Sequence, residues 1–188
     1  MSDQESLRRL LLERSVQRGE FTLASGRRSS LYIDCRLTTM SAEGMVVIGR
    51  LGLAAIRRAG WRPRGIGGLT LGADPVAYAI AAASFLESNT DDSIDAFSVR
   101  KEPKGHGTKR QIEGNFQKGD AVVVVEDVIT SGESAARAAT VLEEAGGQVL
   151  GVMAVVDREQ GGKDLLEARG LRVVALTAVS ELGLGQLS

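Results

Sequence analysis

Residues 122–134, Val-Val-Val-Val-Glu-Asp-Val-Ile-Thr-Ser-Gly-Glu-Ser, hold the densest chemistry in the chain. A run of valines, as expected of a strand buried on both faces of a parallel sheet, ends in two adjacent carboxylates, Glu126 and Asp127. A turn of small residues, Thr130-Ser131-Gly132, then opens a helix. Free backbone N–H groups at such a turn, with the positive end of the helix dipole, form an anion site. The hydroxyls of Thr130, Ser131 and Ser134 add donors, and Gly132 lets a phosphate approach the backbone closely. Carboxylates beside that cradle would repel a bare phosphate. They suit hydroxyls, such as a ribose diol, or a divalent cation, so the combination points to a phosphorylated sugar. A plain helix cap, with Thr130 and Glu133 as a capping box worth about 1 kcal/mol, explains those two residues and leaves the carboxylates unexplained.

Other segments add chemistry or remove it. Residues 100–120 have no apolar period, and Arg100, Lys101, Lys104, Lys109, Arg110 and Lys118 outnumber Glu102, Glu113 and Asp120. So long a polar loop in a compact domain is usually functional or disordered. Gly105 and Gly107 flank His106 and permit a lid. Arg158 follows a strand ending at Val156, where a guanidinium can grip a planar carboxylate bidentately or pair with Asp157 or Glu159. One histidine and one cysteine exclude a Cys/His zinc site, a CxxC redox pair and a disulfide scaffold. Cys35 reads as packing. Neither a phosphate-binding G-x-x-x-x-G-K-[ST] loop nor a G-x-G-x-x-G following a strand is present.

The elements that must position these groups alternate. The spacing predicts a helix over 4–17, a hairpin around Ser25-Gly26, and a helix over 41–59. Strands then fall at 65–69, 94–99, 122–125, 149–156 and 172–176, with helices at 75–86, 133–145 and 163–169 between them. Such alternation predicts an α/β fold: an open, mostly parallel sheet flanked by helices with right-handed crossovers. Thr70, Arg100, Glu126, Asp127 and Arg158 then fall just after carboxyl ends of strands, the edge where open α/β sheets bind ligands. The 188 residues fit one domain. Glycine, at 23 of 188 residues, stands above the average of about 7%. A net charge of −1 gives no global pull toward nucleic acid or membrane. No apolar run approaches the ~18 residues of a spanning helix, and Met-Ser-Asp-Gln-Glu-Ser-Leu lacks a signal-peptide core. The expected compartment is the cytoplasm.

The segment 122–134 resembles the phosphoribosyl-pyrophosphate (PRPP) motif of type I phosphoribosyltransferases. Residues 21–34 (FTLASGRRSSLYID), 100–114 (RKEPKGHGTKRQIEG) and 68–77 (GLTLGADPVA) narrow the resemblance to the orotate phosphoribosyltransferase family over most of the chain. The resemblance implies transfer of the 5-phosphoribosyl group from PRPP to orotate, giving orotidine 5′-monophosphate and pyrophosphate in pyrimidine biosynthesis. It implies Mg²⁺ carried mainly by PRPP with no firm protein ligand. It also implies a homodimer whose basic loop, within 100–120, is shared across subunits, and an N-terminal hood within 1–40. By the same resemblance Glu126 and Asp127 take the ribose hydroxyls, and Val128, Ile129, Thr130, Ser131, Gly132, Glu133 and Ser134 cradle the 5′-phosphate. Residues 70–74, Arg100, Lys101, Lys104 and His106 meet the pyrophosphate. Thr130, Arg158, Tyr32 and Ile33 meet orotate, and Lys104, His106 and Asp127 form the catalytic set. Gly72 and Ala24 stand where relatives carry lysines, with Arg27 or Arg28 as substitutes for the second. Gly65, Gly67, Gly68 and Gly72 are expected to crowd the pyrophosphate loop. The alternatives are a phosphoribosyltransferase for another nucleobase, and a non-catalytic regulator that senses PRPP or nucleotides.

Overall fold

The four valines lie at the centre of β6 (Ala121–Ile129), a strand of a six-stranded sheet. Alternation sends Val123 and Val125 to one face and Val122 and Val124 to the other, and all four are fully buried. In the computed structural model, which describes residues 1–22, 28–88, 93–102 and 111–184, each face has its own apolar layer. Val123 and Val125 join Ile66, Met153 and Val155 beneath α1 (Asp3–Leu10), α3 (Ala42–Arg58) and α4 (Ala73–Ser88). Val122 and Val124 join Phe97, Val99, Val152 and Ala154 beneath α5 (Glu133–Glu144) and α6 (Gly162–Ala168).

A short α2 (Arg36–Thr39) follows the two-stranded hairpin β1 (Val16–Thr22) and β2 (Arg28–Ile33). The main sheet also contains β3 (Gly65–Leu69), β4 (Asp95–Val99), β5 (Ile112–Gly114), β7 (Gln148–Asp157) and β8 (Val173–Ala178), in the order β5-β4-β3-β6-β7-β8. Its pairings are parallel except for β4–β5. The expected open, mostly parallel α/β sheet is therefore present. After β3 the chain moves outward to β4, and after β6 it moves the other way to β7. The crevice between the ends of β3 and β6 is thus the switch point, where doubly wound sheets take their ligands.

Four expectations need correction. The helix predicted over 4–17 ends at Leu10, a π turn covers Leu11–Ser15, and Val16 already begins β1. The stripe of leucines continues through the turn, so periodicity alone did not mark the stop. The polar stretch 100–120 is not all loop: Ile112–Gly114 pairs with β4 as an antiparallel edge strand. An edge strand can be short and polar because one side faces solvent. The strand 122–125 runs on to Ile129, so Glu126 and Asp127 lie within it rather than after it. Lastly, Gly65, Gly67 and Gly68 serve strand packing. A Cβ on Gly67 would lie 2.1 Å from the Phe97 carbonyl oxygen, and one on Gly68 2.2 Å from that of Val125.

Candidate active site

Because Glu126 and Asp127 are consecutive strand residues, their side chains leave on opposite faces. Glu126 emerges on the α5 face. There it bounds a pocket of about 100 Å³ formed with Ile129, Thr130, Ser131, Gly132 and Ser134. It is 6% exposed, and its Oε1 has no hydrogen-bond partner among the described residues. Burial, then the neighbouring Asp127, pushes its carboxyl up to about 8, while Lys101 pulls the other way. Asp127 leaves toward α4 and the hood. Its Oδ1 accepts the Val128 N–H at 2.9 Å. Burial raises its pKa, and backbone N–H donors and the Arg36 charge oppose that rise.

The turn after β6 differs from a capping box. The N-cap of α5 is Gly132, at φ 79°, and no side chain caps the helix; Ser131 Oγ lies 3.5 Å from the Glu133 N–H. An uncapped N-terminus leaves its N–H donors and dipole for an anion. Gly132 meets two demands: the left-handed φ, and a close approach to α6, since a Cβ there would lie 2.6 Å from the Gly162 carbonyl oxygen. Gly162 returns the constraint, as its own Cβ would fall 2.5 Å from the Thr130 carbonyl oxygen.

Across the crevice, the segment after β3 abuts Asp127. A Cβ on Gly72 would lie 2.5 Å from Asp127 Oδ1. A side chain at this position would therefore need the Asp127 carboxylate to move. Arg100 directly follows β4, and its N–H donates to the Gln111 carbonyl at 2.8 Å while Gln111 Nε2 donates back to Arg100 O at 3.0 Å. This reciprocal pair joins Arg100 to Gln111. The Arg100–Glu113 ion pair, at 3.0 Å, is exposed on both sides and so contributes little to stability. Lys101 is exposed, and its carbonyl accepts a hydrogen bond from Arg137 Nη2 of α5, tying the segment after β4 to that helix. Lys104 and His106, and likewise Ala24 and Arg27, lie outside the described residues, as does the side chain of Arg28.

The β1–β2 hairpin and α2 reach the same edge. Alternation along β2 separates the two residues expected at orotate: Ile33 is buried in the core layer, whereas Tyr32 is 37% exposed with its ring 5.5 Å from that of Phe21. Arg36 pairs bidentately with Asp34, at 2.8 and 2.9 Å, which holds the Asp34 carboxyl below the usual range. Cys35 is buried, as its packing role requires, and burial first, then Asp127 and Asp34, drives its thiol pKa upward while Arg158 opposes. Arg158 is half-buried, and its N–H donates to Ile129 O at 3.0 Å, so β7 and β6 stay joined to the edge. The neighbouring carboxylates have other hydrogen bonds: Asp157 accepts the Glu159 N–H, and Glu159 accepts from the N–H and hydroxyl of Ser180.

The sheet edge thus gathers Thr70, Gly72, Arg100, Lys101, Glu126, Asp127, the 130–134 turn and Arg158. Sequence reasoning missed Asp34, Arg36, Arg137 and Gly162. Asp34 and Arg36 stand two and four residues beyond Tyr32, and Arg137 stands one helical turn beyond Glu133 and Ser134. Those spacings were visible, but nothing in them said that they faced the crevice.

No family model matches the chain. It is 45% identical over 185 residues to an orotate phosphoribosyltransferase of Aquifex aeolicus, covering 97% of this chain and 98% of that one. The chain belongs to the orotate phosphoribosyltransferase family. Solved orotate phosphoribosyltransferases share its fold. That of Mycobacterium tuberculosis in complex with Fe(III) dicitrate superposes with a TM-score of 0.85 at 43% identity, over 97% of this chain and all of that one. The same enzyme in complex with PRPP gives 0.82 at 40% identity, with the same coverage. The type I phosphoribosyltransferase fold expected from the motifs is the fold observed.

Proposed function

We propose that this orotate phosphoribosyltransferase transfers the 5-phosphoribosyl group of PRPP to N1 of orotate, a step of pyrimidine biosynthesis. The carrying observation is the β6–α5 pocket. An uncapped helix start and three hydroxyl side chains face a buried carboxylate with an acceptor unused among the described residues. That set suits a phosphate attached to a sugar that also offers hydroxyls. In the reaction the bond from ribose C1 to pyrophosphate breaks and the bond to orotate N1 forms. Orotate enters already ionised, so no strong protein base is needed, and the chain works by positioning and electrostatics.

Residues 128–134 hold the 5′-phosphate, and Glu126 and Asp127 take the ribose hydroxyls. Arg100, Lys101, Lys104 and His106, with residues 70–74, meet the pyrophosphate. Thr130, Arg158 and Tyr32 frame orotate, Arg158 gripping its carboxylate. Ile33 contributes through backbone, since its side chain is committed to the core. Mg²⁺ is carried mainly by PRPP, and the Glu126 oxygen that has no partner among the described residues offers it an acceptor on the α5 face. A bound Mg²⁺ supplies charge neutralisation to the departing pyrophosphate.

The chain works as one domain in the cytoplasm, as a homodimer sharing the 100–120 loop between subunits. The dimer has support in the exposed surface. Leu71, Tyr78, Phe85 and Leu86 at α4, and Leu37, Met40 and Val46 near α2, leave large apolar side chains exposed, as a subunit interface requires.

The deciding assay mixes protein, Mg²⁺ and PRPP separately with orotate, uracil, adenine and hypoxanthine and follows loss of each base. Orotate alone should be consumed; consumption of adenine and not orotate would overturn the reading, and PRPP binding without loss of any base would point to a sensor. Lys104→Ala and His106→Ala should each lower kcat about 100-fold, the scale of losing one transition-state donor, with an unchanged melting temperature. Wild-type turnover in both variants would remove the loop from the mechanism.

A further inference from the structure

Asp74 stands in the first turn of α4 and is 9% exposed. Its two carboxyl oxygens have separate partners on two strand ends. Oδ2 accepts the hydroxyl of Thr70, just past β3, at 2.7 Å, and Oδ1 accepts that of Ser98, on β4, also at 2.7 Å. Tyr78, one turn further along α4, lies with its hydroxyl 3.0 Å from Ser98 Oγ. Ser98 has one hydroxyl proton and gives it to Asp74, so Tyr78 is the donor in that second bond. The Thr70 N–H donates to Val99 O at 2.9 Å, which extends the β3–β4 ladder one residue beyond the strand. Thr70 is therefore held at both its backbone and its side chain, while the next two N–H groups, of Leu71 and Gly72, have no hydrogen-bond partner among the described residues. Gly72 in turn packs against the Asp127 carboxylate.

We propose that Asp74 is a positioning residue of the pyrophosphate subsite. By accepting the Thr70 and Ser98 hydroxyls it fixes residues 70–72 against Asp127 and presents the Leu71 and Gly72 N–H groups to the leaving pyrophosphate. The inference rests on the reading that residues 70–74 meet pyrophosphate. Asp74 commits the Thr70 hydroxyl and so leaves the contact to the backbone. A backbone cradle also explains how the segment serves an anion with Gly72 in place of a cationic side chain.

The test compares Asp74→Ala, Asp74→Asn and Ser98→Ala with the wild-type protein in both reaction directions. Losing both hydroxyl anchors should raise KM for PRPP, and for pyrophosphate in the reverse direction, about tenfold, the scale of one good hydrogen bond to a charged group. KM for orotate and for orotidine 5′-monophosphate should stay within about twofold. Asp74→Asn should recover part of the loss, because the amide oxygen still accepts one hydroxyl, and Ser98→Ala should show a smaller rise of the same kind. Equal rises in all four KM values, or a wild-type KM for PRPP in Asp74→Ala, would overturn the proposal. Should Asp74→Ala not fold, Thr70→Val removes the same bond from its other end. It must give the same selective rise, and a wild-type KM for PRPP there would overturn it. If the wild-type protein does not consume orotate, the parent reading fails instead. Calorimetric binding of Mg²⁺-pyrophosphate then decides Asp74 separately: weaker binding in Asp74→Ala supports the proposal and unchanged binding overturns it.

Discussion

Glu126→Gln is expected to make the protein more heat-stable at pH 8 and a poorer enzyme above that pH. The carboxyl sits on the α5 face of β6, 6% exposed, with one oxygen unpartnered among the described residues. Burial lifts its pKa from the ordinary 4.5 to about 8. The folded chain thus binds this proton more tightly than the unfolded chain, and between those values folding takes a proton up. Stability from this group is complete below pH 4.5 and is lost as pH rises to about 8. At about 1.4 kcal/mol per pH unit, the loss has an upper bound of about 5 kcal/mol. Glutamine mimics the neutral form and escapes it. Thermal melts across pH 5–8 should show the variant gaining on the wild type as pH rises, with the two alike near pH 4.5. A gap that stays constant with pH would show that Glu126 does not titrate in this range. Below pH 8 the wild-type carboxyl is protonated and, like glutamine, half donor; once it ionises both oxygens accept, so the loss in kcat/KM for PRPP should grow to about tenfold as pH rises past 8.

Gly132→Ala should damage both fold and phosphate binding. The left-handed φ of 79° costs an L-residue about 1–2 kcal/mol. The added methyl meets the Gly162 carbonyl oxygen at 2.6 Å, a backbone atom that cannot swing aside, and such overpacking costs about 1–3 kcal/mol more. A melting temperature lower by roughly 5–15 °C follows for a chain this size. The 130–134 turn must move away from α6 to relieve the contact, and its N–H groups move with it, away from the position proposed for the phosphate. KM for PRPP should rise more than KM for orotate. A variant that melts like the wild type and binds PRPP normally would show that neither the dihedral nor the packing at Gly132 matters.

Much of this molecule could be read from local pattern. The valine run could only be a strand buried on both faces, and the strand–helix alternation after residue 60 allowed little besides a parallel open sheet. Thr70, Arg100 and Arg158 follow strands in the chain and so had to reach one edge. The misreadings came where local pattern is silent about neighbours. The leucine stripe of α1 continued into the π turn, and Ile112–Gly114 became a strand because β4 offered an edge. Gly67 and Gly68 looked like phosphate-loop residues, but their need for glycine comes from Phe97 and Val125.

The opening feature, two carboxylates before a small-residue turn, shows the division most clearly. The residues by themselves put two acidic groups and a small-residue turn within one stretch of nine residues, a pattern that points to a phosphorylated sugar. Only the tertiary structure decided that β6 runs through them, so that alternation aims Glu126 at the α5 pocket and Asp127 at Gly72, Cys35 and Arg36. The physical reason is that a side chain's direction follows from its strand, but its surroundings follow from what packs on each face. Burial, the elevated pKa of Glu126 and the anchoring of Thr70 by Asp74 all arise from contacts between segments far apart in sequence, and no spacing rule along one segment contains them.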